Sequence, residues 1–197
     1  MGRLRIVVGI SGASGSVYGV RLLEVLAAMP EVETHLVTTT TARMNIAFET
    51  DRTLAEVEAL ADVVHDARDL SASIASGSFR IAGMIVAPCS IKTLSAIATS
   101  YTDNLLTRAA DVVLKERRRL VLVLRETPLH VGHCRLMLDA ATSGAVILPP
   151  VPSFYTRPSS IEEIVDQTVG RVLDQFDLEA GIVRRWREQP PVTRTPR

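Results

Sequence analysis

Residues 4–16 read Leu4-Arg5-Ile6-Val7-Val8-Gly9-Ile10-Ser11-Gly12-Ala13-Ser14-Gly15-Ser16, an apolar run that stops abruptly at small and hydroxylated residues. The same break recurs twice. Residues 84–87 run into Pro88-Cys89-Ser90-Ile91-Lys92-Thr93, and residues 120–124 run into Arg125-Glu126-Thr127-Pro128. Short aliphatic runs with such boundaries read as strands buried on both faces of a parallel sheet. Ligands of an open α/β sheet bind at the carboxyl ends of its strands. The three breaks therefore predict one phosphate-holding sheet edge.

Outward from that edge, the pattern alternates. Val20, Leu22, Leu23, Leu26 and Ala27 fall at helical spacing within 17–28, and 33–37 reads as a second strand, which begins a βαβ unit. Four threonines, Thr38 to Thr41, can open the next helix by capping its free amides, and that helix is expected to reach Glu49. Residues 51–80 are less periodic and carry Asp62, Asp66, Asp69 and several serines, so a short helix and a mobile connection are expected there. Then come a strand at 84–87, helices at 94–98 and 105–116, a strand at 120–124, a helix at 136–141 and a strand at 145–148. A proline-rich turn at 149–153 precedes a final helix at 161–176, and 190–197 reads as a disordered polar tail. Strands alternating with helices imply α/β architecture with a parallel sheet, in one domain over residues 1–189.

The bulk numbers exclude several classes. The 197 residues include 47% hydrophobic residues, enough for a core, and 22 basic side chains balance 22 acidic ones. With no net charge, no global field draws the chain to nucleic acid or anionic lipid. The apolar runs fall short of a bilayer span, and no signal peptide is visible, so neither a membrane nor a nucleic-acid partner is expected and the expected address is cytoplasmic. Cys89 and Cys134 form no Cys-x-x-Cys pair, against a disulfide framework or zinc ribbon.

Taken singly, the candidate sites stay open. Two glycines and three hydroxyls in the first loop suit a phosphate at a helix N-terminus, and suit a serine-capped turn equally well. The loop lacks the Gly-x-Gly-x-x-Gly and Gly-Lys-Ser/Thr signatures, so neither NAD nor ATP follows from it. Ser90, Lys92 and Thr93 offer hydroxyls and a cation at a helix start. Cys89 has no base beside it in sequence and reads as a small buried hydrophobe. Arg125-Glu126 places a charged pair where a core strand emerges, which favours a site role over a surface ion pair. Arg108 and Lys115 share a helix face with Asp111 between them, and a salt-bridge ladder is the simpler reading of that trio. His130 and His133 stand at i,i+3 without the glutamate of a His-Glu-x-x-His motif, so no metal site is assigned.

In order along the chain, the segments 9–15, Glu49-Thr50-Asp51, 88–93, 108–117, Arg125-Glu126 and Phe154-Tyr155 closely resemble the bacterial flavin prenyltransferases of ubiquinone biosynthesis and their phenolic-acid-decarboxylase relatives. The resemblance implies a flavodoxin-like Rossmann fold, a doubly wound, mostly parallel sheet in three α/β/α layers. It also implies reduced FMN as acceptor and dimethylallyl monophosphate as donor, without metal. Prenylated FMN would then pass to a partner decarboxylase, and active sites would lie at subunit contacts of a homo-oligomer, commonly a dodecamer. Carried over by position, Gly12, Ala13, Ser14, Thr39, Ser90, Ile91, Lys92, Thr93 and Arg125 would surround FMN. Lys115, Arg125, Tyr155 and Arg171 would hold the donor phosphate, and Trp186 would help close the pocket. Ser14, Glu49 and Glu126 would handle protons, with Arg108 in the same polar network. Thr40 stands where many members carry lysine, and Leu120 where many carry proline. An FMN-dependent cysteine decarboxylase and a non-catalytic FMN carrier are the alternatives.

Overall fold

The computed structural model describes residues 2–187. The tail expected at 190–197 lies outside the described residues. The chain opens with β1 (Leu4–Ile10), α1 (Ser16–Ala27), β2 (Val32–Thr38), α2 (Thr40–Glu49), α3 (Leu54–Glu58) and β3 (Val63–His65). After a single 3-10 turn at Ser73–Ala75 come β4 (Gly83–Cys89), α4 (Ile91–Ala98), α5 (Leu105–Lys115), β5 (Arg119–Leu124), α6 (Val131–Thr142), β6 (Ala145–Ile147) and α7 (Ile161–Leu173).

All pairings are parallel and the strand order is β3-β2-β1-β4-β5-β6. Without the short edge strand β3, the five strands expected from the sequence lie in the order second, first, third, fourth, fifth, that of a flavodoxin-like sheet. Connections reverse direction between β1 and β4, and that switch point opens a crevice at the strands' carboxyl ends.

Strand alternation sorts the core onto two faces. Ile6, Val8 and Ile10 of β1 pack with Leu22, Leu23 and Leu26 of α1 and with Val165, Val169 and Leu173 of α7. Val7, Met84, Val86, Leu122 and Leu124 face the other way, against Leu94, Leu105, Leu106, Val113 and Ala140 of α4, α5 and α6. The result is three layers. No helix among the described residues is long and apolar enough to cross a membrane.

Beyond small shifts such as α4, which starts at Ile91 rather than 94, three elements depart from the sequence reading, each for a local reason. β3 lies inside the aperiodic stretch 51–80, because three residues at a sheet edge leave too short a pattern to read. It forms by pairing Val63 with His35 and His65 with Val37. α6 starts at Val131 rather than 136, capped by the His130 ring, whose Nδ1 accepts the Gly132 N–H at 3.0 Å. The last helix stops at Leu173, followed by a 3-10 turn and then Asp177 with φ 56°.

Candidate functional site

Each strand of the central sheet delivers a short loop to the crevice. A cavity of about 560 Å³ is lined by Gly12, Ala13 and Ser14 after β1, by Thr39, Thr40 and Thr41 after β2, and by Ala67 and Arg68 after β3. Ser90, Ile91, Lys92 and Thr93 after β4, Asp103 and Asn104 before α5, and Arg125 and Glu126 after β5 complete it. Every residue assigned to the flavin by resemblance lines this one cavity.

The loops are held by side chains that fold their backbone locally. Fully buried Ser11 is the main tie: its Oγ donates to the Pro88 carbonyl at 2.9 Å and accepts the Ser90 N–H at 2.7 Å. This binds the β1 loop to the β4 loop across the switch point. A register shift between Val86 and Cys89 ends β4 there. Ser90 caps α4 by accepting the Thr93 N–H at 3.2 Å and donates to the Thr93 hydroxyl at 3.1 Å. Thr39 caps α2 through the Ala42 N–H, and Asn45 one turn further donates to the Ala13 carbonyl at 3.0 Å. Gly12 has to be glycine, since a Cβ there would stand 2.5 Å from Thr41 Cβ.

Glu49 closes the first loop. Gly15, in the left-handed region at φ 103°, precedes α1 without offering a side-chain cap, and Glu49 Oε2 supplies one from α2 by accepting the Gly15 and Ser16 N–H groups, each at 2.8 Å. Burial pushes the Glu49 pKa up, but the Ser16 N–H, the Ser14 hydroxyl and the Gly15 N–H together outweigh it and hold the carboxyl below its ordinary range. Glu49 is thus an ionised acceptor beside Ser14, placed at an N-terminus that favours negative charge.

A second cavity of about 380 Å³ adjoins the first and shares Ser14, Arg125 and Glu126 with it. Its other walls include Tyr18, Leu124, Pro149, Pro150 and Val151, a largely apolar set. Burial raises the Tyr18 pKa, with the Arg125 charge opposing. Among the described residues, Lys92, Arg125 and Glu126 make no salt bridge, and Glu126 Oε1 accepts the Thr127 N–H at 3.0 Å. The first cavity thus carries two cations not engaged by carboxylates among the described residues, which suits an anionic phosphoester.

The remaining sequence candidates do not line either cavity within one chain. Asn104 stands at the cavity, and Lys115 lies at the far end of α5, about 15 Å further along the helix axis. Its Nζ meets Glu116 Oε1 at 2.6 Å. Arg108 bridges to Asp111 at 3.1 Å and donates to the Ala75 carbonyl at 3.2 Å, so only the first half of the expected ladder forms. Arg171 pairs with Asp174. Tyr155 and Trp186 meet edge to face, ring centroids 5.2 Å apart.

Other candidates resolve plainly. Cys89 is fully buried and desolvation drives its thiol pKa up, leaving it inert. His130 and His133 lie with ring centroids 3.6 Å apart and tilted by 35°, and no three His, Cys, Asp or Glu side chains gather as metal ligands would among the described residues. Sequence reasoning placed Ser11 in the first loop without its tie to Ser90 and Thr41 at a helix start without its place at the cavity, and it missed Asn45, Ala67, Arg68, Asp103 and Asn104. Asp103-Asn104 before an apolar helix is a legible cap signal, while Ala67-Arg68 sits in the aperiodic stretch and has none.

Comparison with known proteins agrees with this geometry. The Flavoprotein family model matches residues 1–173. The chain is 64% identical over 184 residues to the flavin prenyltransferase UbiX of Escherichia coli (strain K12), covering 92% of this chain and 97% of that one. The crystal structure of AnUbiX (PadA1) in complex with FMN and dimethylallyl pyrophosphate superposes with TM-score 0.93 at 53% identity, over 95% of this chain and all of that one. A dodecameric FMN-dependent Ubix-like decarboxylase from Escherichia coli O157:H7 gives TM-score 0.92 at 50% identity, over 93% of this chain and all of that one.

Proposed function

The chain belongs to the Flavoprotein family and, within it, to the flavin prenyltransferases, and on that premise we propose that it joins the dimethylallyl group of dimethylallyl monophosphate to N5 and C6 of reduced FMN. The observation that carries the reading is the pair of adjoining cavities walled by Ser14, Arg125 and Glu126. One is polar, with the loops and cations suited to a flavin phosphate. The other is largely apolar and opens beside the same arginine and glutamate, as a prenyl donor needs.

The reduced flavin supplies the nucleophilic ring positions. The chain's own residues have two tasks. A departing phosphate must be met by positioned cations, which the reading assigns to Lys115, Arg125 and Arg171 with the Tyr155 hydroxyl. A proton must leave the ring carbon, and Glu126 is assigned to relay it to the phosphate, while ionised Glu49 acts through Ser14 on the protonation near N5. Because Lys115 lies about 15 Å beyond Asn104 along α5, and Arg108 does not line the cavity of its own chain either, the reading gives both to the site of a neighbouring copy in a homo-dodecamer. The product would pass to a prenylated-FMN-dependent aromatic-acid decarboxylase, in ubiquinone synthesis or phenolic-acid decarboxylation, within the cytoplasm. At 64% identity to a flavin prenyltransferase, the cysteine-decarboxylase and carrier alternatives give way to this reading.

The test is anaerobic incubation of the pure protein with reduced FMN and dimethylallyl monophosphate, followed by mass spectrometry of the extracted flavin. Addition of one five-carbon unit is expected. Unchanged FMN on a folded, FMN-loaded protein would return the carrier or cysteine-decarboxylase reading.

A further inference from the structure

Gln167 is a buried amide, 5% exposed, on a helix whose core face is otherwise largely aliphatic. Such a group persists only where its hydrogen bonds are made. All those it makes go to two places. Its Oε1 accepts the Arg184 N–H at 2.9 Å, and its Nε2 donates to the Arg184 carbonyl and to the Tyr155 hydroxyl, both at 3.3 Å. The Tyr155 hydroxyl in turn donates to the same Arg184 carbonyl at 3.2 Å.

The rest of this helix stripe serves the same segment. Gln167, Gly170, Arg171 and Asp174 follow one another at i, i+3, i+4 and i+7, one face of a helix. A Cβ on Gly170 would stand 2.1 Å from Val183 Cγ2, so the segment lies directly on the helix backbone. Asp174 accepts from Arg185 at 2.9 and 3.0 Å and also from Arg171. The strand of chain so docked carries Trp186 to the edge of the Tyr155 ring.

We propose that Gln167 is a positioning residue for prenyl-donor recognition, holding Tyr155 and the Trp186 segment in one arrangement while the Tyr155 proton turns to the donor phosphate. This rests on the assignment of Tyr155 and Arg171 to that phosphate. The phenol has one proton, here spent on the Arg184 carbonyl. When a phosphate oxygen takes it, that carbonyl keeps the Gln167 Nε2–H, the Arg184 N–H keeps Gln167 Oε1, and the segment stays docked. Without Gln167, presenting the proton to phosphate leaves the carbonyl unserved, and the segment and Trp186 come loose together.

The test compares wild type, Gln167→Leu and Gln167→Glu for FMN affinity, for KM and kcat with dimethylallyl monophosphate, and for fluorescence of Trp186, the sole tryptophan. Gln167→Leu is expected to raise KM for the donor about tenfold with FMN affinity within about twofold, and to shift the saturable Trp186 response to donor by the same factor. Gln167→Glu keeps the acceptor for Arg184 and loses the donor to Tyr155, so its KM defect should shrink as pH falls and the carboxyl gains a proton. Unchanged KM in folded Gln167→Leu, or equal loss of FMN and donor binding, overturns the proposal, as does a pH-independent defect in Gln167→Glu. A wild-type protein that binds FMN yet neither prenylates it nor responds to donor overturns the underlying assignment, and the proposal with it.

Discussion

Replacing Ser11 by alanine removes one oxygen from a fully buried site and should loosen two ligand loops at once. Ser11 Oγ bonds both the Pro88 carbonyl and the Ser90 N–H. Pro88 O keeps a second donor, the Ser11 N–H at 3.2 Å. The Ser90 N–H keeps none. An unsatisfied buried donor costs about 1–3 kcal/mol, and the lost bond to Pro88 adds about 0.5–1.5 kcal/mol, so about 2–4 kcal/mol is expected. For a chain of this length each kcal/mol moves Tm by about 2–4 °C, giving a fall of about 4–16 °C at matched protein concentration. Because Ser90 to Thr93 line the flavin cavity, the FMN dissociation constant should rise about tenfold in the same variant. Differential scanning calorimetry and fluorescence titration with FMN read the two effects. A Tm change below about 2 °C with unaltered FMN affinity would refute the claim that this hydroxyl ties the two loops.

Three further outcomes follow from the geometry. Glu49 has its folded pKa below the ordinary 4.5, so its ionised form stabilises the fold above that value and the contribution disappears as pH falls through the folded one. The Tm difference between wild type and Glu49→Gln, measured from pH 7 downward, should therefore be largest at neutral pH and shrink toward the acid end; a difference independent of pH would contradict it. Gly12→Ala should weaken FMN binding at least tenfold, because its Cβ meets Thr41 Cβ, and Thr41→Gly in the same chain should restore part of the affinity where Thr41→Ala does not, by isothermal titration. Cys89 should resist iodoacetamide in the folded protein and react in guanidinium, since burial holds its thiol protonated; peptide mass mapping of native alkylation at Cys89 would count against that.

The sheet edge was legible because each central strand announces its own end. A run such as 4–10 is apolar because both faces are covered, and it must stop where the backbone turns to meet solvent or ligand, so Ser11 to Ser16, Ser90 to Thr93 and Arg125-Glu126 could be read as one edge before any fold was known. The order of those strands was not in the pattern. It is set by crossover handedness and packing, which bring β1 and β4 together and make the crevice. Long-range ties were hidden for the same reason: nothing local tells that Ser11 serves Ser90 across 79 positions, or that Glu49 caps a helix begun 33 residues earlier. Gln167 looked like one more polar residue on an amphipathic helix until Tyr155 and Arg184 closed around it. Residue types and their local spacing determined which groups were available for chemistry. Only the tertiary structure decided which of them meet, because hydrogen bonds between distant segments depend on how the layers pack, and a linear pattern records only neighbours.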